Sequence, residues 1–121
     1  MKQKDILANL KERFGITELN EMQKDVLSAS NQDGDIILLS PTGSGKTIAF
    51  LVPLLKALKE PNGNLQAVII APSRELVMQI GKVARDIATG HKVTTEQHAT
   101  LTPSWQLLLI SLSLRLKRSL K

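Results

Sequence analysis

Apolar residues recur at helical spacing in four stretches of this chain and run continuously in two others. Ile6, Leu7 and Leu10, with Phe14 one turn on, predict a helix over residues 4–13, and Gly15 suits its C-terminal stop. Met22, Val26 and Leu27 predict a second helix over 21–30, with Asn20 as N-cap. "NQDGD" at 31–35 is turn chemistry. "IILLS" at 36–40 reads as a short strand buried on both faces. From Gly45 to Leu58 the pattern is helical and apolar nearly all round, with a kink expected at Pro53. "EPNGN" at 60–64 is a turn, and "QAVIIAP" at 66–72 is a second buried strand. Residues 73–88 form an amphipathic helix that turns Leu76, Val77, Ile80, Val83, Ala84 and Ile87 inward, with Gly90 beyond it. "HKVTT" begins a third strand.

Strand, helix, strand, helix in units of about 30 residues is the pattern of an α/β crossover, so a three-layer α/β fold with a short parallel sheet flanked by helices is expected. After residue 95 the pattern changes. "LLLISLSLRL" has period-2 leucines that suit a strand, yet its composition equally suits a helix. We therefore divide the chain into residues 1–95 and an atypical basic, Leu-rich tail, 96–121.

The chain has 121 residues, enough for one modest domain, and no apolar run long enough to span a membrane. It has no cysteine, which removes disulfides and thiolate metal sites and fits the cytoplasm. Net charge is +5, but residues 1–91 carry eleven Lys or Arg against ten Asp or Glu. The basic excess thus sits at the chain end, where a solvated tail explains it as well as nucleic acid does.

The chemistry is concentrated in "SPTGSGKT", residues 40–47, between a predicted strand and a predicted helix. It follows the phosphate-binding pattern G-x-x-x-x-G-K-[ST], with Ser40 in place of the first Gly. Gly43 and Gly45 allow backbone conformations that turn amide N–H groups into an anion nest at a helix N-terminus. Lys46 is placed to reach the β- and γ-phosphates, and the Thr47 hydroxyl to ligate Mg²⁺. Thr42, Gly43, Ser44, Gly45, Lys46 and Thr47 are therefore the candidate nucleotide-binding residues, and Lys46 and Thr47 the candidate catalytic ones.

Three motifs in order resemble those of the DEAD-box RNA helicases. "SPTGSGKT" is similar to the family's A-x-T-G-x-G-K-T loop, with Ser40 where Ala is usual. "PSREL" at 72–76 resembles P-T-R-E-L, and "FGITELNEMQ" resembles the adenine-sensing segment, with Gly15 and Gln23 in register. The resemblance covers residues 5–95. It implies an incomplete RecA-like ATP-binding domain, ATP and Mg²⁺ as cofactors, and RNA as partner, bound through its sugar-phosphate backbone. It also implies that Gln23 reads adenine and that Pro72, Ser73 and Arg74 contact RNA. Gln23 equally fits the last position of a capping box led by Asn20.

The family's D-E-A-D, Gly-Gly, T-P-G-R and S-A-T motifs have no match in this sequence, nor does its second domain. We expect an N-terminal helicase fragment, inactive alone, whose tail comes from a frameshift or an aberrant gene end. A nucleotide- or RNA-binding fragment without turnover is the alternative; another P-loop NTPase is a more distant one. A sheet cut to two or three strands exposes edges, so association in isolation is expected.

Overall fold

Ile6 and Leu10, one helical turn apart, are both fully buried, and they define the inward face of α1 (Gln3–Phe14). The computed structural model to which this helix belongs describes residues 1–59, 64–91, 93–99 and 106–112. It divides into two compact units, residues 1–57 and residues 58–121.

The first unit is helical. Gly15 ends α1 at φ 68°, a left-handed conformation open to glycine, and its N–H donates to the Lys11 carbonyl at 3.1 Å. Leu7, expected inward, is 37% exposed at the margin of that face. The second helix, α2 (Glu21–Ala29), starts at Asn20 as expected and buries Val26. Helix α3 (Lys46–Lys56) buries Ala49, Leu51, Val52 and Leu55, and both α1 and α2 pack on it. Pro53 lies inside α3, where it removes one backbone bond, and the helix ends three residues later, short of the expected Leu58.

Residues 36–40 correct the sequence reading. The run "IILLS" forms no strand, and Ile37 and Leu39 are 86% and 88% exposed. A strand needs a neighbour to satisfy its ladder, and no described strand pairs with this run. Continuous apolarity marks a segment that can be buried on two faces; it does not supply the faces. Exposed apolar chain of this kind favours self-association. The double variant Ile37→Lys, Leu39→Lys is therefore expected to move the protein toward smaller species on size-exclusion chromatography. An unchanged profile would show that this run drives no association.

The second unit is a three-stranded sheet with one helix against it. Its strands are β1 (Leu65–Ala71), β2 (Val93–Ala99) and β3 (Gln106–Leu112), in the order β1-β3-β2. Helix α4 (Arg74–Ile87) carries the chain from β1 to β2. Both pairings with β3 are antiparallel, through Ile69↔Leu108 on one side and Thr95↔Ile110 on the other. Strands β1 and β2 thus run the same way, as a crossover helix requires, but they are not neighbours.

The expected parallel sheet is therefore corrected: among the described residues every pairing is antiparallel, because residues 106–112 insert between the two crossover strands. Of the two conformations open to "LLLISLSLRL", residues 106–112 adopt the strand; Leu114 and Leu116 lie outside the described residues. So do most of the turn at 60–64 and the Thr102-Pro103 dipeptide. The boundary drawn at 95/96 falls within β2.

Strand β1 was expected to be buried on both faces and is buried on one. Ile69 and Ala71 are covered, whereas Val68 and Ile70 are 48% and 60% exposed. Leu108 and Ile110 of β3 and Val77, Ile80, Ala84 and Ile87 of α4 are buried as well. Gly81 lets α4 lie close to the sheet, since a Cβ there would already touch Leu108 at 3.5 Å. Among the described residues the sheet is thus one layer of a two-layer packing.

Candidate nucleotide-binding site

The phosphate-loop residues lie in the first unit, between the exposed run 36–40 and α3. Gly43 and Gly45 take φ angles of 82° and 90°, which an L side chain rarely adopts. Thr42 and Gly43 are exposed, and Ser44, Gly45, Lys46 and Thr47 are half-buried. Gly45 is the N-cap of α3 and has no side chain to cap it. The first N–H groups of α3 therefore have no side-chain acceptor from the cap position, and they carry the positive end of the helix dipole. Lys46 and Thr47 are the first two residues of that helix.

Two amide side chains from the start of α2 hold the loop. Asn20 Oδ1 accepts from the Gln23 N–H at 2.9 Å, and Gln23 Oε1 accepts from the Asn20 N–H at 2.9 Å. This is the capping box anticipated from the spacing. The same side chains then reach across the chain. Asn20 Nδ2 donates to the Ser44 carbonyl at 3.1 Å, and Gln23 Nε2 donates to the Gly45 carbonyl at 3.2 Å. Gln23 is only 6% exposed, the buried polar side chain of the described residues.

Each Gln23 group retains capacity for one more bond, an N–H on Nε2 and a lone pair on Oε1. Asn20 read from the sequence as a helix cap; its grip on the loop was not visible there. No local signal could have revealed it, because the acceptor lies 24 positions away.

The loop also bonds within itself. The Ser44 hydroxyl donates to the Pro41 carbonyl at 2.6 Å and pairs with the Ser40 hydroxyl. Beside the site, Lys24 and Glu18 form an exposed ion pair at 2.7 Å. The hydrogen bond and charge of Lys24 hold the Glu18 carboxyl below its usual range. A lowered carboxylate pKa stabilises the fold above the usual range, and that contribution is lost as the pH falls through the lowered value. For so exposed a pair the effect is small and screened by salt. Glu18→Gln is expected to leave the melting temperature at neutral pH almost unchanged and to reduce its loss on acidification, as checked by melts across the acid range.

A groove of about 260 Å³ between α1 and α2, lined by Leu7, Leu10, Ile16, Leu19 and Leu27 among others, contains none of the phosphate-loop residues. Its lining is mainly apolar, with Gln3, Thr17 and the Glu18–Lys24 pair as its polar members.

Pro72, Ser73 and Arg74 belong to the second unit, at the start of α4. Ser73 is the N-cap, and its hydroxyl accepts from the Leu76 N–H at 3.2 Å. Its own proton remains free to donate to an oxyanion. Arg74 and Pro72 are exposed, and Glu75 lies in the first turn, where the helix dipole favours it. Ser73→Ala is expected to lower stability by about 1 kcal/mol through loss of this cap, measured by urea unfolding.

The profile of the DEAD/DEAH box helicase family matches residues 20–110. The chain belongs to this family. Family membership implies a RecA-like α/β fold, and the elements above are consistent with part of one. The match includes the capping box, the phosphate loop, α4 and part of β3.

Among curated relatives, the chain is similar to the DEAD-box ATP-dependent RNA helicase CshC of Bacillus cereus, 40% identical over 83 residues, covering 69% of this chain and 21% of that protein. It is 34% identical over 124 residues to DEAD-box ATP-dependent RNA helicase 57 of Arabidopsis thaliana, covering 96% of this chain and 23% of that protein. It is 51% identical over 59 residues to the probable ATP-dependent RNA helicase YfmL of Bacillus subtilis, covering 49% of this chain and 16% of that protein. The chain thus spans less than a quarter of each of these relatives. No solved structure matches it significantly. No helix among the described residues is long and apolar enough to cross a membrane.

Proposed function

We propose that this DEAD-box chain carries the ATP grip and the first RNA contact of an RNA helicase, with residues 1–95 as the N-terminal part of the ATP-binding domain. The observation that carries this reading is the tie from the Asn20–Gln23 capping box to the Ser44 and Gly45 carbonyls. It anchors the loop's carbonyl side to α2 and sets the buried Gln23 amide beside the phosphate grip. In this reading a triphosphate lies against the N-terminus of α3, contacting amides of residues 43–47. Lys46 places its ammonium on the outer phosphates. Gln23 uses its remaining N–H and lone pair on the adenine edge.

Mg²⁺ fits this arrangement in a limited way. Thr47 offers one hydroxyl, and no cluster of three or more His, Cys, Asp or Glu among the described residues could hold a metal. Mg²⁺ at nucleotide sites keeps water and phosphate oxygens beside one or two protein carboxylates, so Thr47 with a bound nucleotide would supply only part of its shell. When bound, the ion would neutralise phosphate charge.

In this reading Pro72, Ser73 and Arg74 engage the RNA sugar-phosphate backbone, which would give binding with little preference for sequence. The partner and compartment proposed are RNA and the cytoplasm. We assign residues 96–121 to an atypical basic, Leu-rich tail, although residues 96–110 fall within the family match. Because the sequence contains no D-E-A-D motif, we propose binding without useful turnover for the 121-residue polypeptide alone.

Calorimetric titration with ATP and GTP, followed by phosphate release with and without single-stranded RNA, tests the reading. ATP should bind more tightly than GTP, and phosphate release should stay at the blank rate. Failure to bind either nucleotide would overturn the site assignment, and brisk hydrolysis would overturn the second part.

A further inference from the structure

The phosphate loop is closed by its own hydroxyls. A serine hydroxyl has one proton to give. The Ser44 proton goes to the Pro41 carbonyl at 2.6 Å, which leaves Ser40 to donate in the Ser40–Ser44 pair; the Ser40 hydroxyl also makes a longer contact with the Pro41 carbonyl, at 3.5 Å. The Ser44 N–H is directed at the same Pro41 carbonyl, at 3.3 Å. A relay therefore runs from Ser40 to Ser44 to Pro41, and it draws inward one of the amides that an anion nest would present to phosphate. Ser40 and Ser44 are half-buried, so water competes only in part for these bonds. Alanine at position 40 could not start the relay.

We propose that Ser40 is an affinity-determining residue of the nucleotide site, its hydroxyl latching the phosphate loop through Ser44. The inference rests on the assignment of this loop to ATP. An incoming triphosphate must release the Ser44 N–H from Pro41, and the latch opposes that release. Ser40 touches no substrate in this scheme; it acts through Ser44 as a positioning residue.

Two measurements on the full chain test the latch and the ATP reading separately. The first is exchange of the Ser44 amide hydrogen without nucleotide, followed by NMR. Ser40→Ala should speed it several-fold, and an unchanged rate overturns the latch. The second is ATP affinity in a double-mutant cycle. Ser40→Ala should tighten binding about 5-fold, equivalent to about 1 kcal/mol. Ser44→Ala should tighten it similarly, and Ser40→Ala added to Ser44→Ala should change nothing further. A merely structural role for Ser40 would give the same change in both backgrounds and overturns the proposal. So does faster exchange with unchanged or weaker ATP binding. If no variant binds ATP, the nucleotide assignment falls and Ser40's role in affinity with it, while the exchange result still separates that failure from failure of the latch.

Discussion

Lys46→Ala is expected to weaken ATP binding about 10- to 100-fold while leaving the fold intact. Lys46 is the first residue of α3 and follows two left-handed glycines, and the proposed reading puts its ammonium on the outer phosphates. Hydrogen bonds to charged groups contribute about 1.5 to 3 kcal/mol, which sets the size of the loss. The fold should tolerate the change. Lys46 makes no cap bond, it is only half-buried, and alanine is the strongest helix former. Calorimetry measures the affinity, and a thermal melt in excess ATP gives an independent reading, because ligand stabilisation disappears with binding. A change in Kd of less than about twofold would remove Lys46 from the phosphate site.

Gly45→Ala is expected to destabilise the first unit by about 2 to 3 kcal/mol, the largest stability effect of any single change to the loop. Two terms add. The φ of 90° places an L residue in left-handed space, at about 1 to 2 kcal/mol. A Cβ there would also lie 2.5 Å from Gln23 Nε2, displacing the amide that donates to the Gly45 carbonyl and costing about 1 kcal/mol more. Gly43→Ala separates the terms. Its φ is 82°, but a Cβ there meets nothing within 4 Å, so it should cost only the backbone term. Urea unfolding followed by circular dichroism measures both. Equal effects at the two positions would mean that the Gln23 contact with the loop contributes nothing.

What the sequence disclosed follows from the range of each interaction. Ile6 with Leu10 and Asn20 with Gln23 act within one helical turn, so all four helices and the Asn20 cap were legible; Ser73, read as the first residue of its helix and as an RNA contact, is instead the N-cap of α4. The turn at 43–45 was legible because Gly43 and Gly45 take φ angles that favour glycine locally. The tie from Asn20 to Ser44 spans 24 residues and was not.

Sheet architecture was the least legible part. Apolarity in "IILLS" and "AVIIA" marks what each segment could bury, yet no described strand pairs with the first and only one face of the second is covered. Leu108 and Ile110 decided the rest. Their period-2 spacing is shared by strands and by leucine-rich helices, and pairing with both β1 and β2 resolved it. That pairing also set the antiparallel directions, which no pattern within residues 106–112 encodes.

ATP titrated into isotope-labelled protein, with every backbone amide followed by NMR, tests the nucleotide grip most directly. The account predicts that the amides of Gly43, Ser44, Gly45, Lys46 and Thr47 shift most, saturate together, and stay still in the Lys46→Ala variant at the same ATP concentration. Silence across these five amides, or larger shifts centred elsewhere, would contradict it.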